Sequence, residues 1–241
     1  MLSNRIVMAS SPTDYSSMMI YHTNWGPSDG GYNYPRISKS GDQLTIDYGD
    51  GTIETFTGGN NHSYSNTNIK AVKLSSSDGW SGLTEIYLNW SHCSGDLLNP
   101  SNYINLQTYV CDNNLFTGGI PSFSTATGLL TVHIEYNLLS GVLPSFANCV
   151  SMTYFNVGNN STTGYIRNGF STQASLSEIY MTANQWPQAE VDAILAEFVT
   201  SLSLPGRVAC TVGLNGAGMS PPSSSTNHDI LEAAGWTVNI N

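Results

Sequence analysis

His133 is the histidine of this sequence whose surroundings could support chemistry. Glu135 lies two residues after it, and Asp112 occupies an earlier segment of similar sequence. Carboxylates close to a histidine can serve acid–base catalysis or hold a metal. Solvated polar residues on a strand face give the same pattern, so we predict no catalytic and no metal-binding residue. Asp112 and Glu135 form the pair that we would test for polysaccharide hydrolysis.

Other motifs of enzymes and cofactor sites are missing from the sequence. The segment GWSGL, residues 79–83, is not the GxSxG nucleophile motif, and the chain has no P-loop, HExxH or dinucleotide fingerprint. The segment DYGDGT contains Asp47 and Asp50 but lacks the spacing of an EF-hand, so we predict a hairpin turn there instead of a calcium site. We expect no cofactor.

Composition and charge argue against two kinds of partner. The chain has 7 Lys and Arg against 17 Asp and Glu, a net charge of −10, so a nucleic-acid backbone would be repelled. No apolar run approaches the roughly 18 residues that span a bilayer, and we expect no membrane insertion. The amino terminus lacks a secretory signal, so we expect synthesis without export.

The four cysteines have no metal-like spacing and mostly apolar neighbours; they are Cys93, Cys111, Cys149 and Cys210. We predict reduced, buried thiols. A disulfide between Cys149 and Cys210 in an oxidising compartment is the alternative.

One segment of the chain occurs twice with a similar sequence. The stretch LQTYVCDNNLFTGGIPSF, residues 106–123, returns as LLTVHIEYNLLSGVLPSF at 129–146. The same frame fits five segments, which begin at Leu83, Leu106, Leu129, Met152 and Leu176. Its polar slot holds Ser91, Asn114, Asn137, Asn160 and Asn184. Such a fixed period is typical of a repeat protein.

The pattern resembles the leucine-rich repeat family, with its LxxLxLxxN core, and TGGIP and SGVLP resemble the GxIP variant of plant receptors. The resemblance covers about residues 69–186. It implies an α/β leucine-rich-repeat solenoid of about five 23-residue repeats, in which each repeat adds a short strand to a parallel sheet. It also implies that the slot asparagines bond backbone groups of neighbouring coils.

Two flanking regions complete the predicted organisation: a β-rich amino-terminal module over 1–74, repeats over 75–186, and a carboxy-terminal cap over 187–241. The first region resembles the PKD β-sandwich through Gly49, Asp50, Gly51, His62 and Tyr64. The last region predicts helix, strand, helix and strand in that order. It is similar to the tails of repeat proteins from bacteriophage and prophage tail regions.

Residues that point away from the core form the candidate binding strip. If the apolar slots face inward, alternation exposes a row of aromatic and polar side chains, and Trp90 and Tyr136 sit one step further, at the sheet margin. The candidates are Tyr87, Trp90, Asp112, His133, Glu135, Tyr136, Tyr154 and Tyr180. Aromatic rings with polar rims suit glycans and protein loops.

The sequence therefore predicts a non-catalytic recognition module that binds a cell-surface glycan or protein. We expect it in a phage virion, as a tail or spike component, where other virion proteins would be its partners. A structural virion subunit without ligand and a bacterial surface adhesin are the alternatives.

Overall fold

The computed structural model describes residues 19–23, 36–39, 44–56, 70–76, 80, 82–100 and 103–241. His62 and Tyr64, which contribute to the resemblance to PKD modules, lie outside these residues.

Short strands dominate the described chain, and two helices follow near its end. The strands before residue 100 are β1 (Met19–Thr23), β2 (Arg36–Lys39), β3 (Leu44–Asp47), β4 (Ile53–Phe56), β5 (Lys70–Ser76), β6 (Leu83–Tyr87) and β7 (Cys93–Asp96). The next strands are β8 (Thr108–Val110), β9 (Leu115–Thr117), β10 (Thr131–His133), β11 (Ser140–Leu143), β12 (Tyr154–Asn156), β13 (Ser161–Tyr165) and β14 (Glu178–Tyr180). The chain ends with α1 (Gln188–Ser201), β15 (Thr211–Leu214), α2 (Thr226–Ala233) and β16 (Thr237–Ile240).

An eight-stranded sheet, the large sheet, has the strand order β16-β15-β14-β12-β10-β8-β6-β2. All its neighbours pair in parallel except β2, which pairs antiparallel with β6. A six-stranded sheet has the order β4-β3-β5-β1-β7-β9, and β11 pairs with β13. The protein is thus an α/β structure with a mostly parallel sheet and few helices, as predicted.

The register of the large sheet follows the repeat period. Thr108 pairs with Thr131, which pairs with Tyr154, so equivalent residues of successive coils lie side by side. Here a coil is the chain from one strand of the large sheet to the next. The apolar slots face inward: Leu106, Tyr109 and Phe116 are fully buried. Their repetition arises because each coil covers the apolar face of the next.

A column of phenylalanine rings runs through the core from coil to coil. Phe123 and Phe146 stack with centroids 5.4 Å apart, and Phe146 and Phe170 stack at 5.3 Å. All three rings are fully buried. Aromatic packing of this kind adds to the free energy of burial, so the repeated phenylalanine also helps to hold the coils in register.

The amino-terminal strands extend both main sheets. β1 pairs with β7 in the six-stranded sheet, and β2 pairs with β6 in the eight-stranded sheet. β5 runs Lys70–Ser76, across the domain boundary predicted at residue 74, which stays a prediction.

The hairpin predicted at the Gly-Asp-Gly segment is present, because β3 and β4 pair antiparallel around it. Gly49 and Gly51 have φ of 73° and 97°, which glycine adopts at little cost. The Asp47 carboxylate accepts a hydrogen bond from the Gly49 amide (2.9 Å), and that of Asp50 accepts one from the Thr52 amide (3.0 Å). Both carboxylates therefore cap the turn.

Helix α1 is tied to the coil before it by two glutamates. Glu190 forms a two-pronged ion pair with Arg167, at 2.6 and 2.8 Å, and this bond lowers the pKa of Glu190. Glu197 accepts hydrogen bonds from the backbone amides of Asn168 (2.8 Å) and Phe170 (2.7 Å). β15 and β16 then continue the large sheet in parallel.

All four cysteines are buried and unpaired, and burial raises the pKa of Cys149 and Cys210 to about 12. Within the part of the chain that the structure describes, no helix has the length and apolar character needed to cross a membrane.

Candidate functional site

The asparagine ladder, Asn114, Asn137, Asn160 and Asn184, shapes the surface after four strands of the large sheet, β8, β10, β12 and β14. The Asn137 amide oxygen accepts a hydrogen bond from the Phe116 amide (3.0 Å). Its nitrogen donates to the carbonyls of Cys111 (3.0 Å) and Ile134 (3.2 Å). Asn114, Asn160 and Asn184 make the corresponding bonds, as predicted. Each asparagine therefore pairs backbone groups that would otherwise be buried without partners.

The residue before each slot of this ladder has a left-handed backbone. We call these residues the turn edge: Trp90, Asn113, Tyr136, Asn159 and Ala183, with φ between 51° and 55°. Their amides donate to carbonyls across the stack; that of Tyr136, for example, donates to Gly158 at 3.0 Å. This conformation suits asparagine and is a true outlier for bulky side chains. The fold imposes it whatever the side chain.

Trp90 and Tyr136 are the aromatic members of the turn edge, and both project into solvent. Their exposed fractions are 58% and 55%. Between them lies an open groove of about 350 Å³, whose lining also includes His92, Asn113, Asn114 and Leu115. Leu115 is itself 47% exposed. The groove thus has aromatic walls two coils apart and an amide between them.

The polar ends of these rings are available to a ligand. Neither the Trp90 indole nitrogen nor the Tyr136 hydroxyl hydrogen-bonds to a described residue. The Asn113 side chain donates from Nδ2 to the Asp112 carboxylate at 2.7 Å, which leaves its oxygen open. A molecule in the groove would find flat apolar rings with donors and acceptors at their rims.

The strand face is the outward side of the large sheet, and it carries Tyr87, Asp112, His133, Glu135, Tyr154 and Tyr180. The His133 and Tyr154 rings stack with centroids 4.3 Å apart, and Tyr154 and Tyr180 follow at 6.0 Å. His133 Nδ1 lies 3.3 Å from Glu135 Oε1. Tyr87 is half-buried on β6 and pairs in register with Val110. Alternation therefore brings the predicted residues together across consecutive strands.

The tyrosine hydroxyls of the strand face are already engaged. Tyr180 donates to Glu178 at 3.0 Å, and Tyr154 accepts a hydrogen bond from Asn156 at 3.3 Å. Burial and the Glu178 carboxylate raise the pKa of Tyr180 to about 12. Many polar groups of the strand face are therefore already hydrogen-bonded to neighbouring side chains of the same face.

One predicted site residue is less accessible than the sequence suggested. We predicted that Asp112 is exposed, which is wrong: it is 8% exposed. Its carboxylate lies at the end of a short strand, bonded by Asn113 and close to Glu135 of the next coil. Burial, reinforced by the Glu135 charge, raises the pKa of Asp112. Val110, the last residue of β8, is buried as well.

The strand face contains a histidine and carboxylates, the side-chain types that acid–base catalysis uses, but these side chains pack against their neighbours. His133 has a carboxylate partner in Glu135 and packs flat against Tyr154. Among the described residues, no group of three or more histidine, cysteine, aspartate or glutamate side chains is placed to hold a metal ion. What this face can present to a partner is negative charge, from the half-buried Glu85, Glu135 and Glu178.

Sequence reasoning did not include His92, Asn113 and Leu115 among the site residues, although they line the groove. His92 and Leu115 stand two residues after Trp90 and Asn113, and Leu138 follows Tyr136 in the same way. An exposed leucine repeated at the repeat period, at positions 115 and 138, was the signal that could have located them.

No protein-family model matches the chain, and no curated protein matches it either. Among solved structures, one match is described as the crystal structure of PEPR1-AtPEP1, at 26% identity and a TM-score of 0.42. The match covers 52% of this chain and 20% of that chain, so this chain spans about a fifth of its length. The parallel sheet of the present protein is consistent with the predicted leucine-rich-repeat architecture.

Proposed function

We propose that the protein is a non-catalytic recognition module that binds a cell-surface glycan or protein. The observation that carries the proposal is the placement of Trp90 and Tyr136. Both rings are more than half exposed, and both occupy left-handed turn positions where the same column elsewhere uses asparagine or alanine. Bulky residues are costly in this conformation, by about 1–3 kcal/mol.

Strain of this kind is typical of functional positions. Aromatic residues are also the usual anchors of binding surfaces, because they supply contact area at a small entropic cost. The two turn-edge rings and the strand face belong to the same coils. A binding role accounts for both features without a catalytic step.

We further propose that the protein acts in a phage virion or on a bacterial surface, where it would contact other proteins of that assembly. The support is compositional: 10% of residues are charged, and the polarity comes instead from Ser, Thr, Asn and Gly.

A host-cell and glycan binding screen on the purified protein tests the recognition proposal. The mass of the protein in solution is measured alongside. Binding by the monomer to a defined cell type or glycan is expected. Self-assembly with no binding to any cell, glycan or protein would contradict recognition and favour a structural subunit.

A further inference from the structure

The turn edge changes character along the stack of coils. Its amino-terminal part presents the aromatic rings Trp90 and Tyr136, and the residues two positions later include Leu115 and Leu138, which are 47% and 56% exposed. The next coil has Asn159 followed by Ser161 in the same columns. The exposed apolar surface therefore ends where these columns become polar. This limits a ligand to the first coils.

The size of the groove fits a small ligand. Its volume of about 350 Å³ lies at the lower end of the range for small-molecule sites, roughly 300–1,000 Å³. The rings of Trp90 and Tyr136 belong to coils two apart, so adjacent-strand spacing puts their backbones roughly 10 Å from one another. One or a few linked rings of a ligand fit between them, whereas a protein interface needs a broader surface.

The charges around the groove select against anions. Two carboxylates adjoin the groove residues: Asp112, which bonds Asn113, and Glu135, which precedes Tyr136 in the chain. The groove itself presents rings, an amide, an imidazole and a leucine. A ligand with a carboxylate or phosphate would meet repulsion there, while a neutral ligand would meet none.

A pyranose ring matches this surface in its chemistry. Its C–H groups give it an apolar face that packs on an aromatic ring, and its hydroxyls both donate and accept hydrogen bonds at the edge. The indole N–H of Trp90 is a donor, the open amide oxygen of Asn113 is an acceptor, and the Tyr136 hydroxyl is both. All three residues line the groove.

We propose that the groove between Trp90 and Tyr136 is a binding site for a short neutral saccharide. The inference rests on the proposed recognition function and specifies its ligand class and its location. The strand face is then outside the primary saccharide site.

Trp90 provides an optical test. Trp80, Trp186 and Trp236 are buried, so Trp90 is the exposed tryptophan of the described residues. The probes are glucose, galactose, mannose and N-acetylglucosamine, each as a monosaccharide and as short oligomers. Glucuronate and N-acetylneuraminate are the acidic comparators. With wild-type protein, we expect a neutral saccharide to shift the tryptophan emission saturably and to protect it from iodide quenching, and the acids to do neither.

Variants at Trp90 connect the signal to the groove. Trp90→Phe retains a ring, so calorimetric binding should persist while the emission change is lost. Trp90→Asn installs the residue found at positions 113 and 159 of the same column. It should bind at least about tenfold more weakly, since one stacked ring is removed, with a melting temperature no lower than that of the wild type.

The outcomes distinguish a failure of the saccharide site from a failure of the proposed recognition function. If no neutral saccharide binds but cells or a protein are retained through Trp90, the ligand class is wrong and recognition stands. If a saccharide binds equally well to Trp90→Asn, the location is wrong. If nothing binds in any arm, both proposals are overturned.

Discussion

The strand face and the turn edge are built by the same coils, yet they differ in the hydrogen bonding of their aromatic side chains. On the strand face, the hydroxyls of Tyr154 and Tyr180 are bonded to neighbouring side chains, and the rings are half-buried. At the turn edge, Trp90 and Tyr136 are more than half exposed, and the polar atoms of their side chains bond no described residue. A surface whose polar groups already bond each other gains fewer hydrogen bonds from a ligand than a surface whose polar groups are unpaired.

The backbone explains why the second surface is the more informative. A strand accepts tyrosine readily, so tyrosines on the strand face need no functional reason. A left-handed turn disfavours bulky side chains, so an aromatic residue there opposes local preference. Places where sequence and backbone disagree are expected to be functional.

The largest expected effect comes from breaking the ladder beneath both surfaces. Asn137→Ala leaves the Phe116 amide and the carbonyls of Cys111 and Ile134 without their side-chain partner. Each buried group left unpaired costs about 1–3 kcal/mol, so we expect a loss of about 3 kcal/mol or more in the free energy of unfolding. Denaturant unfolding measures it.

Asn148→Ala is the matched control, because Asn148 is exposed and donates one hydrogen bond, to the Ser124 carbonyl. That variant should lose no more than about 1 kcal/mol. Equal losses in the two variants would mean that the ladder does not hold the turn edge in place.

The next largest effect is on binding, and it distinguishes the turn edge from the strand face. Tyr136→Ala should weaken binding of the preferred ligand from the screen at least about tenfold, because it removes an exposed ring with a free hydroxyl. Tyr180→Ala should weaken it less than about threefold, since that ring already packs near Tyr154 and its hydroxyl is bonded. Calorimetry on each variant gives the ratio.

Circular dichroism of both variants controls for folding. A larger loss in Tyr180→Ala than in Tyr136→Ala would reverse the comparison and make the strand face the primary site.

A smaller effect concerns the conformational cost at the turn edge. Tyr136→Asn and Tyr136→Ala both remove the ring, but asparagine tolerates a φ of 53° better than alanine does. We expect the asparagine variant to be the more stable by about 1 kcal/mol, or roughly 2–4 °C in melting temperature for a chain of this size. Equal melting temperatures would show that the turn is not strained.

Much of the fold could be predicted because one period governs burial and backbone bonding together. Leu106, Tyr109 and Phe116 recur since each coil must cover the next, and Asn114 recurs because its amide pairs backbone groups across the turn. The pairing of β1 with β7 and of β2 with β6 could not be predicted, because these strands join coils far from them in sequence and share no repeat.

The candidate site was predictable in part. Alternation places His133, Tyr154 and Tyr180 on one face, as the rule for strands requires. It fails for Asp112, which follows the end of β8, where the chain turns and the carboxylate is buried and bonded by Asn113. The groove escaped prediction because its walls are two coils apart and its depth depends on the left-handed turn between them.

The smallest effect would come from the strand face through the buried Asp112. Because burial raises its pKa in the folded protein, the folded state binds this proton more tightly than the unfolded chain. Stability from this group is therefore fully present below the ordinary aspartate pKa and is lost as the pH rises from there through the raised pKa of the folded protein. Asp112→Asn keeps an acceptor oxygen near Asn113 and removes the charge, so it should be at least as stable as the wild type at pH 7. The difference in melting temperature between this variant and the wild type should shrink as the pH is lowered, which thermal unfolding at a series of pH values measures. Asp96→Asn, at an exposed position, is the control for net charge. A less stable Asp112→Asn at pH 7 would mean that the carboxylate makes a favourable charged contact, and the strand face would then be a stronger rival to the turn edge.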